Sequence, residues 1–175
     1  SKLKLMKANH TSQKYRLEDN ITQHYPHQIA IFKERIEGFT ADMEKYAKNK
    51  PEDKEQFFMQ VGGKPYTDKK EAGTAIIAMC KEIKGINASA DVGEYLGFKL
   101  NVTFDSFNNK FVMNVKGAMS HPMEVGTDPL GNITRINNAL EAMPIQLEEA
   151  QTKLSNVEHQ LETAKAEVDK PFPQE

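Results

Sequence analysis

Eleven apolar residues of the C-terminal third recur in steps that alternate strictly between three and four: Ile133, Ile136, Leu140, Met143, Leu147, Ala150, Leu154, Val157, Leu161, Ala164 and Val168. Such spacing holds one stripe on one side of a helix through five heptads. The positions between carry Glu148, Glu149, Lys153, Glu158, Glu162 and Lys165, as the solvated side of that helix requires. A stripe of this length needs a partner of similar length. Tyr25, Ile29, Phe32, Ile36, Phe39, Met43 and Tyr46 supply one, again in threes and fours. A helix over residues 27–49 spans roughly 33 Å at 1.5 Å per residue, close to the reach of the second stripe beyond Pro144. The pairing is expected to be antiparallel, because the residues between the stripes must leave and return at one tip.

Prolines punctuate both stripes. Pro26 is expected to open the first helix, since a residue without an N–H is tolerated in a first turn. Residues 1–25, of weaker periodicity, are expected to be partly helical and loosely docked. Pro144 predicts either a kink or a short helix over 132–142 followed by a long one over about 144–169. Asn132 is the expected N-cap after the Asp128-Pro-Leu-Gly131 turn.

Between the arms the period changes to two. Gln56–Val61 and Lys64–Tyr66 flank Gly62-Gly63, a hairpin signature. Thr67 or Asp68 then caps a helix whose inner side is Ala72, Ala75, Ile76, Met79, Cys80 and Ile83, ending at Gly85. From Asp91 the chain alternates through Leu96, Phe98, Leu100, Val102 and Phe104, turns at Ser106–Asn109, returns over Lys110–Lys116 and adds a short strand at His121–Val125. Pro122 marks that last strand as an edge. The expected fold is α+β: an antiparallel, coiled-coil-like pair of long helices with an inserted antiparallel sheet of about five strands packed on one helix. The corresponding division is 1–55 (basic segment and first arm), 56–126 (sheet-plus-helix module) and 127–175 (second arm and Pro-rich tail).

Composition agrees with long helical arms more than with a large globule: of 175 residues, 38% are hydrophobic and 27% charged, and there is no Trp. The net charge of −2 excludes a strongly basic DNA-coating protein. It leaves room for local patches. One cysteine, Cys80, excludes a disulfide framework, and with neither a signal peptide nor an apolar run of about 18 residues a cytoplasmic location without membrane contact is expected. The start at Ser1 without Met and the Pro-rich end read as an excised piece of a longer protein.

Catalytic signatures are blank. There is no P-loop, dinucleotide fingerprint, Gly-x-Ser-x-Gly or His-Glu-x-x-His. No catalytic residue, metal or cofactor is assigned, and the chain is not expected to be an enzyme by itself. His24 and His27 have ligand-like spacing but lack a third ligand and have Pro26 between them, so they read as surface histidines. Cys80 reads as a buried, inert thiol. Gly62-Gly63-Lys64 has the glycines and lysine of a phosphate cradle but joins two strands and feeds no helix, so it reads as a turn.

Charge is divided unevenly. Residues 1–36 have net charge +4 and residues 131–175 net −4. One account is complementarity between the arms. The sharper account makes Lys2, Lys4, Lys7, Lys14 and Arg16 a phosphate-contacting cluster, with Lys64, Lys69, Lys70, Lys81 and Lys84 as a second one on the module. Such clusters bind DNA without reading its sequence. Among the aromatics, mostly core by their alternation, Tyr66 and Tyr95 are the candidates for exposure and base stacking.

Five blocks carry a more specific resemblance: Tyr66–Gly73, Gly93–Phe98, Phe104–Phe107, Gly126–Arg135 and Ala164–Glu175. Together, and in this order, they resemble the C-terminal region of very large helicase/adenine-specific DNA methylase proteins of bacterial conjugative elements and phages. The resemblance implies a parent chain with a methylase and a DEAD/DEAH or Snf-type helicase upstream, which would be this domain's partners. None of their motifs occurs here. Asp128-Pro-Leu-Gly131 is similar to the Asp-Pro-Pro-Tyr loop with which such methylases hold a base, but Leu130 and Gly131 stand where the second proline and the aromatic would be. The expected role is a non-catalytic accessory domain that positions DNA or braces the motor. The alternative is a protein-interaction or homodimerisation module working through the helical arms, without DNA contact.

Overall fold

A computed structural model of the chain describes residues 1–83, 85 and 88–170. They are α+β, with long helices and one antiparallel sheet of six strands. Two compact units form: Ser1–Glu37 with the described residues from Leu147 onward, and Gly38–Gln146.

The first unit is helical. Helix α1 (Lys2–Asp19) is capped by the Ser1 hydroxyl, which accepts from the Lys4 N–H at 3.3 Å. It runs through one π-helical turn (Asn20–His24) into α2 (Tyr25–Asn49). Pro26 falls in the first turn of α2, as expected, but no break separates α2 from the helix before it. A proline inside a helix lacks its N–H and crowds the carbonyl four residues back, and a widened turn relieves both problems. That turn is in place directly before it, where the Tyr25 N–H bonds to the Asn20 carbonyl. Helix α5 (Met143–Val168) is the return arm, with Ala150, Val157 and Ala164 buried at intervals of seven. Its end, at Glu167 and Val168, meets His10, Lys14 and Leu17 of α1 around a cavity of about 30 Å³.

The second unit is a sheet under two helices. Strands β1 (Met59–Val61), β2 (Lys64–Tyr66), β3 (Ser89–Tyr95), β4 (Phe98–Asp105), β5 (Lys110–Lys116) and β6 (Ser120–Glu124) lie in the order β2-β1-β3-β4-β5-β6, every pair antiparallel. There are six strands where five are expected, because the alternating run from Asp91 to Phe104 folds back at Leu96-Gly97. Both residues have positive φ, 53° and 84°, the geometry of a tight hairpin turn. Gly62-Gly63, at φ 60° and 78°, makes the expected turn between β1 and β2. Pro65 and Pro122 lie on the two edge strands, where a missing N–H costs no ladder bond.

One sheet face buries Val92, Phe98, Leu100, Val102, Met113 and Val115, and α3 (Lys69–Glu82) covers it with Ala72, Ile76 and Cys80. A second helix shares the task. Helix α4 (Pro129–Glu141) puts Ile133, Ile136 and Leu140, the head of the C-terminal stripe, into this core. The break falls at Ala142, and Pro144 sits in the first turn of α5, as the second of the two expectations for it has it.

Asp128, not Asn132, caps α4: its Oδ2 accepts from the Gly131 N–H at 2.9 Å. Asn132 is already one turn inside. Its buried amide brackets the Gly126 peptide instead, accepting from N–H at 2.7 Å and donating to the carbonyl at 3.0 Å. At α3 the cap is Asp68, whose Oδ2 accepts from the Glu71 N–H at 2.9 Å, and the helix stops at Ile83. No helix among the described residues is long and apolar enough to cross a membrane.

Candidate nucleic-acid interface

The loop from Lys50 to Phe58, between α2 and β1, walls two adjoining clefts of the second unit. The smaller, about 260 Å³, is lined by Lys50, Lys54 and Lys69, with Tyr46, Tyr95, Asn137 and Glu141 behind them. Each lysine comes from a different place: the end of α2, the loop, and the first turn of α3. Among the described residues none of the three is in an ion pair, so three cations share one concavity with a single carboxylate.

Behind the lysines, two neutral phenols stand beside the Glu141 carboxylate. The Tyr95 phenol donates to Asn137 Oδ1 at 2.7 Å. Burial, followed by the influence of Tyr46, pushes its pKa up to about 12. Tyr46 is likewise raised, by burial first and by Glu141 second. At neutral pH both remain uncharged and add no repulsion toward an anion. Lys50 Nζ lies 5.4 Å from the centroid of the Tyr46 ring, close enough for cation–π attraction.

The larger cleft, about 710 Å³, shares Pro51, Gln56 and Phe57 with the first. Phe58 and Leu96 give it an apolar wall, and Glu55 and Glu94 lie at its polar side. Its floor is braced. Asn49 Nδ2 donates to the Lys45 carbonyl at 3.0 Å and the Leu96 carbonyl at 3.1 Å, and Lys45 Nζ donates to the Gly97 carbonyl at 3.3 Å.

The ten sequence-derived basic residues do not form one patch. Lys2, Lys4, Lys7, Lys14 and Arg16 are all exposed on α1. At 100° per residue Lys4, Lys7 and Lys14 fall on one side and Lys2 and Arg16 on nearly the opposite side. On the module, Lys64 is exposed on the edge strand β2, Lys70 in the first turn of α3 and Lys81 in its last turn. Lys84 lies outside the described residues. Lys69 alone of the ten lines a described cleft in the second unit, where its companions are two other lysines, Lys50 and Lys54. In the sequence they sit among Glu52, Asp53 and Glu55, where local charge cancels and gives no signal.

The aromatics are also redistributed. Tyr95 is buried and Tyr66 half-buried, while Phe58 is 55% and Phe107 94% exposed. Cys80 is buried and its thiol pushed up to about 11 by that burial, as an inert core cysteine would be. No group of three potential metal ligands occurs among the described residues. Compared with protein-family models, curated proteins and solved structures, the chain has no match.

Proposed function

We propose that this chain is a non-catalytic accessory domain of a DNA helicase/methylase and that it holds nucleic acid by its phosphates. The observation that carries the reading is the convergence of Lys50, Lys54 and Lys69 on one cleft with no ion-pairing partner among the described residues. Lysine is a point cation that a phosphate approaches from any direction, so such a site attracts the backbone without reading bases. Each phosphate neutralised releases counterions, which makes the affinity fall steeply with salt. The helicase/methylase context rests on the sequence resemblance.

The test is fluorescence anisotropy of labelled DNA at about 50 and 200 mM salt. Binding that weakens more than about tenfold between the two supports phosphate contact. Charge reversal of Lys50, Lys54 and Lys69 to Glu should abolish it, whereas reversal of Lys4, Lys7 and Lys14 tests the α1 cluster independently. Absence of binding at 50 mM salt with roughly 50 µM protein overturns the reading, since sequence-independent sites reach that range.

A second reading, a protein-interaction or homodimerisation module, is favoured by Leu3, Leu5 and Met6 of α1, which are 45%, 64% and 40% exposed. Sedimentation decides it: a monomer over a wide concentration range removes the homodimer.

A further inference from the structure

We infer that the nucleic acid held here is single-stranded, with one unpaired base in the Phe58 cleft and the adjoining phosphate among Lys50, Lys54 and Lys69. The inference rests on the nucleic-acid reading above and adds the strand state and the polarity of the site. Charge sorts the two clefts. The small one gathers three lysines against the single carboxylate of Glu141, and the large one has Glu55 and Glu94, which repel a phosphate but accept hydrogen bonds from the exocyclic amino group of a base. A ligand that is anionic on one side and neutral, planar and amino-bearing on the other satisfies both, and a nucleotide unit has that form.

Phe58 supplies the stacking surface. Its neighbours Phe57 and Met59 belong to the buried core, while Phe58 is 55% exposed at the wall of a cleft of about 710 Å³, within the range of small-molecule sites. Stacking on an aromatic side chain is indifferent to base identity but needs a base whose face is free. In a duplex those faces are covered by neighbouring pairs. The braces from Asn49 and Lys45 to the Leu96-Gly97 turn hold that part of the cleft in place before any ligand arrives, so little ordering is left to oppose binding.

The experiment titrates the full chain against three labelled probes of equal length: a single strand, its duplex, and an abasic strand that keeps every phosphate but no base. The expected order is single strand tightest, with duplex and abasic strand each at least tenfold weaker. Phe58→Ala should weaken the single strand five- to a hundredfold without changing the salt dependence. Phe58→Tyr should restore it. Equal affinity for all three probes, with Phe58→Ala silent, overturns the single-strand inference and leaves the phosphate reading standing. No binding of any probe at 50 mM salt overturns both. The abasic comparison needs no variant and decides the matter even where a substitution unfolds the chain.

Discussion

His121 Nε2 lies 2.7 Å from Asp42 Oδ2, and both side chains are only 1% exposed. The same carboxylate accepts from the Ala118 N–H at 2.7 Å and the Met119 N–H at 2.9 Å. Asp42 thereby ties α2 to the turn between β5 and β6, with the rings of Phe39 and Phe98 each 6.0 Å from the imidazole. Sealed from solvent, the pair does not meet a substrate. Its work is to fix one helix to one hairpin.

Asp42→Ala should therefore destabilise the chain by about 3–5 kcal/mol, because two amide hydrogens and a histidine nitrogen lose their acceptor in the interior. Urea denaturation measures it. A loss below about 1 kcal/mol would show that water reaches the site and replaces the carboxylate.

At Gly73, α3 packs tightly against the start of α4. A Cβ there would stand 2.1 Å from the Pro129 carbonyl oxygen, a backbone atom that yields only if a helix moves. Gly73→Ala gains about 1 kcal/mol of helix propensity and incurs about 1–3 kcal/mol of overpacking, so the net change should be destabilising. A raised midpoint in thermal melting would contradict this packing.

Stability should fall on the alkaline side. Burial raises Cys80 from 9.0 to about 11 and Tyr95 from 10.0 to about 12, so the unfolded chain releases these protons first. Their contribution is complete below about pH 9 and is lost as pH climbs through 11 and 12. Urea midpoints between pH 8 and 11 should decline, and Cys80→Ala should flatten the first part of the slope. An unchanged slope in that variant would exclude Cys80 as its source.

Two phenylalanines should behave oppositely. Phe98 is fully buried, and Phe98→Ala should cost about 3–5 kcal/mol. Phe107, 94% exposed in the turn after β4, should change stability by less than about 0.5 kcal/mol when replaced by Ala. A large loss at Phe107 would mean that something covers it in solution.

Much of this fold was legible because periodicity states which side of an element is apolar. The stripe from Ile133 to Val168, the Gly62-Gly63 hairpin and a cap at Thr67 or Asp68 all followed from spacing or turn chemistry, and the structure chose Asp68. The Leu96-Gly97 turn did not follow in this way. Leu96 completes an alternating run, and nothing in a leucine announces a φ of 53°. Pro26 marks the first turn of α2 as read, but the rule that ends the preceding helix at a proline assumes a regular turn before it, and the π-helical turn at Asn20–His24 lets α1 run on into α2.

By itself the sequence determined the classes of element, their apolar sides and several of their ends, since these depend on residues within a few turns of one another. Tertiary structure decided which surfaces met. It sent Ile133, Ile136 and Leu140 to the sheet and buried Ala150, Val157 and Ala164 in the helical unit, though one unbroken stripe contains them all. It also brought Lys50, Lys54 and Lys69 to one cleft beside Phe58. A charge has no period to reveal its neighbours, and the field at a cleft depends on distances through space that only the folded chain defines.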